Sequence, residues 1–491
     1  MTKLLTLLDR LHWLWLILAA PLMLFPNPKR SLAMLIVPGL WLLHCIVTRI
    51  SPAPLPITPL NSTILLMAVM VLVSTWATYD IAFSLPKISG MILGLGVFFA
   101  AAREARRPRG WWLSLILFLV MGVGVAGLGL LGTDWFTSKI SLLNPVTSRL
   151  PALITGLQGA ETGFHPNEIA GALTWVLPVL LVFSIYSIKL LPDSPSPTGR
   201  GGWGVRERGV RERGGWGVRE REVWGERADR WKIWIACLLL WLATLFVTSV
   251  FILTQSRGGY LALALTSLVL LFIALPRRWR WALLGLLMIT GLIIGLVLSK
   301  EDLITARDWL TGSGITTDNA LSLNTLEGRV EIWSRAIYGL QDFPFTGMGM
   351  NTFREVVHVL YPLFLIAPDI DIGHAHNEFL QVGLDLGIPG LIAFLALYIG
   401  AFWMLVDVSK RTQNSNRFHR VIASSECISR GTAISSNNPY ILTLGLAGGL
   451  AAHLLYGLTD TVALGAKPGV LFWMLLGLVA GLHAQVNTSA G

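Results

Sequence analysis

The sequence predicts an all-α, polytopic integral membrane protein of about 12 transmembrane helices with one large helical extracytoplasmic loop. Three observations predict it. First, AVILMFWYC residues make up 54% of the 491, glycine adds 49 more, and charged residues reach only 13%, about half the usual quarter. Such a chain cannot cover a water-facing surface with polar groups, which excludes a soluble enzyme, a disordered chain and a coiled coil. Second, twelve apolar segments recur, at 11–26, 32–48, 61–79, 86–102, 111–132, 167–190, 232–254, 258–275, 280–299, 387–408, 439–457 and 467–484. Most approach the roughly 20 residues that cross about 30 Å of hydrocarbon. Third, with the N-terminus inside, 26 of the 38 Lys and Arg residues fall on the cytoplasmic side. This satisfies the positive-inside rule and places both termini in the cytoplasm. The formal charge of +10 therefore reads as an orientation signal, and no nucleic-acid partner is expected.

The chain divides in order as follows. Residues 1–132 are N-terminal membrane helices. Lys3 and Arg10 precede the first apolar run as in a signal peptide, but no small-x-small cleavage site follows, so an uncleaved helix is expected. Residues 133–190 form an outer loop and the sixth helix. Residues 191–231 are a basic cytoplasmic insert with a near-repeat, GGWGVRERGVRER at 201–213 and GGWGVRERE at 214–222. Its Gly- and charge-rich composition predicts a disordered or weakly ordered segment. Residues 232–299 return to membrane helices, and 300–386 make the large outer loop with 12 acidic and 5 basic residues. Ile332, Trp333, Ala336 and Leu340 stand at helical spacing there, and Thr352–Glu355 is a capping-box pattern after the turn at Gly347–Gly349. Residues 387–491 are the C-terminal membrane helices. All three cysteines, Cys45, Cys237 and Cys427, fall at or near the cytoplasmic side, where a disulfide framework is not expected.

Chemistry-bearing residues gather at the outer ends of the segments. Arg257, in Thr254–Gly259, sits between two spans against the charge bias. It either snorkels to the interface or binds an anion such as a phosphate in a bidentate fork. Arg329 falls near the start of the outer-loop helix, on the side of Trp333, and either pairs with Glu331 or another acid or strengthens an anion site. Arg335 and Arg354 are weaker candidates, one of them a solvated surface charge. In Gly373–Leu380, His374 and His376 precede the tenth span. His-x-His with Glu378 offers a metal reading, but a general base oriented by Asn377 or a nearby acid is more economical, and no metal is expected. An interfacial histidine pair is the structural alternative. Asn167 is expected to cap the sixth helix, with His165 or Glu168 touching substrate as the alternative. Asp460, near the outer end of the eleventh span, is placed to orient an arginine or to bind a sugar hydroxyl. No Walker loop, dinucleotide fingerprint, HExxH or nucleophile elbow occurs, so an outer reaction needs a preactivated donor and no cofactor is expected.

Taken together, Ser256-Arg257-Gly258, Gly328-Arg329 with Trp333, Pro344–Gly349, His374–Leu380 and Gly387–Gly390 resemble the O-antigen ligase and polymerase family of bacterial membrane glycosyltransferases. Phe164–Asn167 is similar to the family's element before its sixth span, whereas the insert at 199–231 departs from the pattern. The resemblance implies a GT-C-like fold in the bacterial inner membrane, with an extracytoplasmic active face. It also implies an undecaprenyl-diphosphate-linked glycan donor and an acceptor hydroxyl on glycan, lipid A-core or another molecule. By the same resemblance, His376, which fits the motif better than His374, is the base, and Arg257 and Arg329 hold the diphosphate. Ligase, polymerase and protein-glycosylating variants stay open. A transporter or flippase without chemistry is the alternative from another class, but it would call for inverted repeats and mid-membrane charges.

Overall fold

A computed structural model describes residues 7, 11–26, 30–50, 56–133, 135, 140–150, 153–156, 163–188, 216–297, 325–423 and 439–488. The elements are α1 (His12–Leu24), α2 (Ile36–Ile50), α3 (Asn61–Ala77), α4 (Ile81–Glu104), α5 (Pro108–Gly132), α6 (Pro166–Ser187) and α7 (Trp216–Leu253). They continue with α8 (Arg257–Ala274), α9 (Arg277–Val297), α10 (Leu326–Asp342), α11 (Thr352–Leu360), α12 (Glu378–Ala423), α13 (Pro439–Tyr456) and α14 (Val470–Thr488). The protein is an all-α polytopic membrane protein. Among the described residues, β pairing is limited to an isolated bridge between Thr133 and Phe164. Each of the twelve apolar segments overlaps a helix; among the described residues seven helices are long and apolar enough to cross a membrane, and four more are shorter apolar helices.

Three boundaries differ from the sequence reading. Residues 216–231, in the second half of the insert, are helical and run directly into α7, whose apolar stretch extends a helix already started by Arg- and Glu-rich sequence. Residues 191–215 lie outside the described residues. The tenth helix begins at Glu378 rather than 387, with Gly387 a break inside it. The capping box does not form: Asn351, left-handed at φ 67°, is the N-cap of α11 with no side-chain cap hydrogen bond, and Thr352 is already helical.

The bundle is built on helices buried on all sides. α14 packs against α4, α6 against α13, and α12 against α3, α13 and α14. Gly477 and Gly481, four residues apart on α14, face Ala101 of α4 and Ala105, its C-cap, so closely that a Cβ at either would collide. This is how membrane helices gain packing where lipid offers no hydrophobic drive between them. An aromatic cluster fills the centre, with Trp175 and Phe472 at 6.1 Å and Phe472 and Tyr398 at 5.3 Å between ring centroids. By contrast, α7 and α9 turn Leu238, Leu239, Leu242, Leu245, Leu286 and Leu287 outward. Such surface is stable only against lipid.

The segment of α10 and α11 has a small core of its own, where Ile332, Ala336, Phe353, Val357 and Ile372 pack with Leu384 of α12. A glycine clamp fixes it to the bundle. Gly387 adopts φ 70°, ψ 179° within α12, a region essentially restricted to glycine. The freed groups meet the turn at 344–349: Met348 N–H donates to Leu384 O at 2.7 Å and Ile388 N–H to Pro344 O at 2.7 Å. A Cβ on Gly387 would lie 2.7 Å from Phe345 O. Gly387→Ala is therefore expected to destabilise the protein by about 1–3 kcal/mol. Thermal melting in detergent should show this as a lowered midpoint, while Gly285→Ala, whose Cβ meets nothing within 4 Å, stays at wild type. Equal midpoints for both would contradict the clamp.

Candidate active site

The site sits where α6, α8, α12 and the α13–α14 turn reach one end of the bundle and α10 crosses them. Each element presents its side chain for a local reason. Pro166 occupies the first turn of α6, which moves the cap back to His165; its Nδ1 accepts from Asn167 N–H at 3.3 Å. The expected capping by Asn167 is thus corrected: its side chain is released from the helix end and donates from Nδ2 to Asp460 Oδ2 at 2.7 Å. On α8, Ser256 is the cap, accepting from Gly259 N–H at 3.3 Å, and Arg257 opens the helix. Gly258 approaches Thr459 too closely to admit a Cβ, so this glycine admits protein rather than ligand. On α10, Thr325 caps through Gly328 N–H at 3.1 Å, which sets Arg329 on the first turn.

Asp460 is the hub. Its carboxylate is nearly inaccessible, with 4% of the side chain exposed. Oδ1 meets His376 Nδ1 at 3.2 Å, His374 Nε2 at 3.8 Å and Thr461 N–H at 3.0 Å. Oδ2 takes Asn167 and lies 3.7 Å from Arg329 Nη2. Arg329 also donates through Nη1 to Thr459 O. Burial alone would raise the Asp460 carboxyl. The charge and hydrogen bond of His376, then His374 and Arg329, outweigh burial and hold it well below the usual carboxylate range. The same burial, with the neighbouring His376, pushes the His374 imidazole well below its ordinary value.

The hydrogen bond to Asp460 makes Nδ1 of His376 the protonated nitrogen, leaving the lone pair on Nε2. His376 itself stands at φ 47°, a left-handed turn unusual for a non-glycine residue. Two hydrogen bonds hold it there: Trp333 Nε1 donates to His376 O at 3.3 Å, and His376 N–H donates to His374 Nδ1 at 3.2 Å. Asn377 does not orient the base. Its Oδ1 caps α12 through Phe379 and Leu380 N–H, at 3.0 and 3.1 Å, and its Nδ2 donates to Leu458 O at 3.2 Å. Glu378, considered as a metal ligand, instead secures the Asp460 turn: it accepts from Thr461 Oγ1 and from Val462 N–H at 2.8 Å, and its own N–H donates to Gly457 O at 2.7 Å.

Arg257 lies within electrostatic reach of Arg329. Two guanidinium groups so placed repel each other, and an anion between them relieves the repulsion. Arg335 is committed elsewhere, 3.6 Å from Glu331 and donating to Pro362 O at 2.8 Å. The Glu331 partner considered for Arg329 thus belongs to Arg335. Arg354 pairs with Asp371 in the loop. Glu168 lies within electrostatic reach of Asp460. His374, His376 and Asp460 also bring three ligand atoms within 4.8 Å of one another. Arg329, beside the same carboxylate, opposes a divalent ion there.

Residues 240–395 match the family model described as O-Antigen ligase. Over that segment the chain is similar to the O-antigen ligase family. It holds Arg257, Arg329, His374 and His376, so the resemblance read from the motifs rests on the residues that build this site. No curated protein matches the chain. Asn167 and Asp460, which complete the hub, lie outside the matched segment.

The titrations give stability a pH dependence with a definite sign. A histidine whose folded value is depressed is penalised once the unfolded chain takes up a proton, below about pH 6.5. Asp460, depressed as well, contributes fully above about pH 3.8 and loses its contribution only below that. The melting midpoint should fall between about pH 7.5 and 5, and His374→Phe should flatten the slope. An unchanged slope would remove His374 as its source.

Proposed function

We propose that the protein is an O-antigen ligase-type glycosyltransferase acting on the extracytoplasmic face of the bacterial inner membrane, with both termini cytoplasmic. It moves a glycan from undecaprenyl diphosphate to an acceptor hydroxyl, without a metal and with inversion. The observation that carries this reading is the His376–Asp460 pair beside two arginines. Nε2 of His376 removes the proton from the acceptor hydroxyl as its oxygen attacks the anomeric carbon. The bond from that carbon to the diphosphate oxygen breaks with the electron pair leaving on the diphosphate. Arg257 and Arg329 neutralise the charge that develops there, a contribution that is largest in a poorly hydrated site. Asp460 fixes the tautomer and stabilises the imidazolium that results, as the acid does in a catalytic triad.

The order of events requires the base and the diphosphate clamp on opposite sides of the anomeric carbon, which favours direct displacement. Polymerase activity, with a second lipid-linked glycan as acceptor, uses the same residues, since acceptor choice lies in the shape of the outer loop. A transporter has less support: the buried charges gather at one end of the bundle rather than at mid-depth.

Purified protein given an undecaprenyl-diphosphate-linked oligosaccharide in EDTA, with and without lipid A-core, tests this. One transfer that needs the second acceptor means ligase; a ladder from donor alone means polymerase. Asp460→Asn should keep the fold but lower kcat by about 10²–10⁴, comparable to His376→Ala. Arg257→Ala and Arg329→Ala should abolish transfer, with Lys restoring it only in part because a point charge lacks the fork. Wild-type rates in His376→Ala would remove the base, and transfer lost to EDTA alone would favour an ion on His374, His376 and Asp460 instead.

A further inference from the structure

Two charged side chains beside the hub make no hydrogen bond and no ion pair among the described residues: Lys87 of α4 and Glu168 of α6. Both are half-buried. Lys87 stands near the outer end of an apolar helix, against the charge bias, as Arg257 does. An ionisable group in such a helix is costly and points to a task.

Packing brings the two toward the same place. α4 presses on the turn that follows Asp460: a Cβ on Gly465 would collide with Lys87 O, and one on Gly90 with Gly465 O. Glu168 follows Asn167, whose Nδ2 holds Asp460 Oδ2 at 2.7 Å. Lys87 is within electrostatic reach of Glu168 and of His374 without closing to an ion pair. The other charged groups around it are engaged. Glu378 holds Thr461 and Val462. Asp385 accepts from Asn351 N–H at 3.1 Å and from Gln381 Nε2 at 2.9 Å, and Lys467 Nζ lies over the Phe25 ring at 4.6 Å.

The hub thus has two flanks of different character. Arg257 meets the charge of Arg329, whereas Glu168 meets that of Lys467 and Lys87. Asp460 and His374 stand between them, since Asp460 reaches Arg329 on one side and Glu168 on the other. The arginine flank attracts an anion. On the other flank the lysine and the carboxylate balance, so no anion is favoured. An ammonium only donates and a carboxylate only accepts, whereas a hydroxyl does both. Adjacent hydroxyls on a sugar ring can therefore span the two groups.

We propose that Lys87 and Glu168 form the acceptor-sugar subsite, the ammonium donating to and the carboxylate accepting from hydroxyls beside the one that reacts. This rests on the glycosyl-transfer reading. With the diphosphate on the arginines and the base at Nε2 of His376, direct displacement brings the acceptor to the flank away from Arg257. The acceptor is accordingly a sugar with neighbouring free hydroxyls, and its recognition draws on α4 and α6, outside the segment that matches the family model.

Steady-state transfer by the purified full chain tests this, with the undecaprenyl-diphosphate-linked oligosaccharide as donor. The acceptor probe is lipid A-core, or the lipid-free oligosaccharide repeat if wild type builds a ladder from donor alone. Lys87→Met and Glu168→Gln should each raise the acceptor KM by at least about tenfold and leave the donor KM within about threefold of wild type. The double variant separates binding from a structural charge pair: binding predicts a further rise, and an acceptor KM back near wild type would overturn the subsite. A rise in donor KM alone would overturn it too, by moving both residues to the donor. No transfer by wild type to either probe would overturn the glycosyl-transfer reading and this subsite with it. Transfer by wild type with an unchanged acceptor KM in both variants would overturn the subsite alone. Should Lys87→Met fail to fold, as judged by elution and melting, the isosteric Glu168→Gln still decides.

Discussion

Everything at the active end depends on one buried carboxylate. A lone charge taken out of water costs several kcal/mol, and it is tolerated only when hydrogen bonds and opposite charge surround it. Asp460 meets that condition with donors from separate parts of the chain: Asn167 from α6, Arg329 from α10, His376 and His374 from the approach to α12, and Thr461 from its own turn. The constraint works in both directions. The carboxylate needs these partners to be ionised, and the partners are brought into register by needing it. Removing Asp460 would leave Arg329 and the imidazole pair facing one another without compensation.

The sequence was legible where the signal is local. Apolar length marked the helices, the positions of Arg257 and Arg329 outside the apolar runs marked them as unusual, and His-x-His marked the histidines of the hub. Pairings between distant residues were not legible. Asn167 and Asp460 are 293 residues apart, and nothing in the composition of either neighbourhood states that they touch. The cap reading of Asn167 failed because Pro166 takes the first turn and passes the capping role to His165. Asn377 stood beside the base in sequence, but the left-handed turn at His376 sends the two side chains to different tasks. Asp460 carried a usable signal, a single acid at the end of an apolar span at the same end as two arginines and two histidines, and it does meet an arginine, Arg329.

The shared motifs divide into two kinds. Ser256–Gly258, Gly328-Arg329 and His374–Leu380 bring charge and proton-transfer groups to the hub. Pro344–Gly349 and Gly387–Gly390 bring none; they interlock through backbone hydrogen bonds that only left-handed glycines permit. Their contribution is rigidity. With α12 broken and clamped at Gly387, α10, which carries Trp333, is tied to α12, and the His376 turn that leads into α12 is held from both sides.

The placement of Asp460 on the α13–α14 turn has a consequence for how the protein is made. Translation inserts the helices in order, so the arginines and both histidines are already outside the ribosome before the acid appears. During that interval the site has its cations without the carboxylate that holds them together. The site is complete only with the last hairpin, when the carboxylate draws the earlier parts together. An unfinished chain in the bilayer therefore lacks the assembled site.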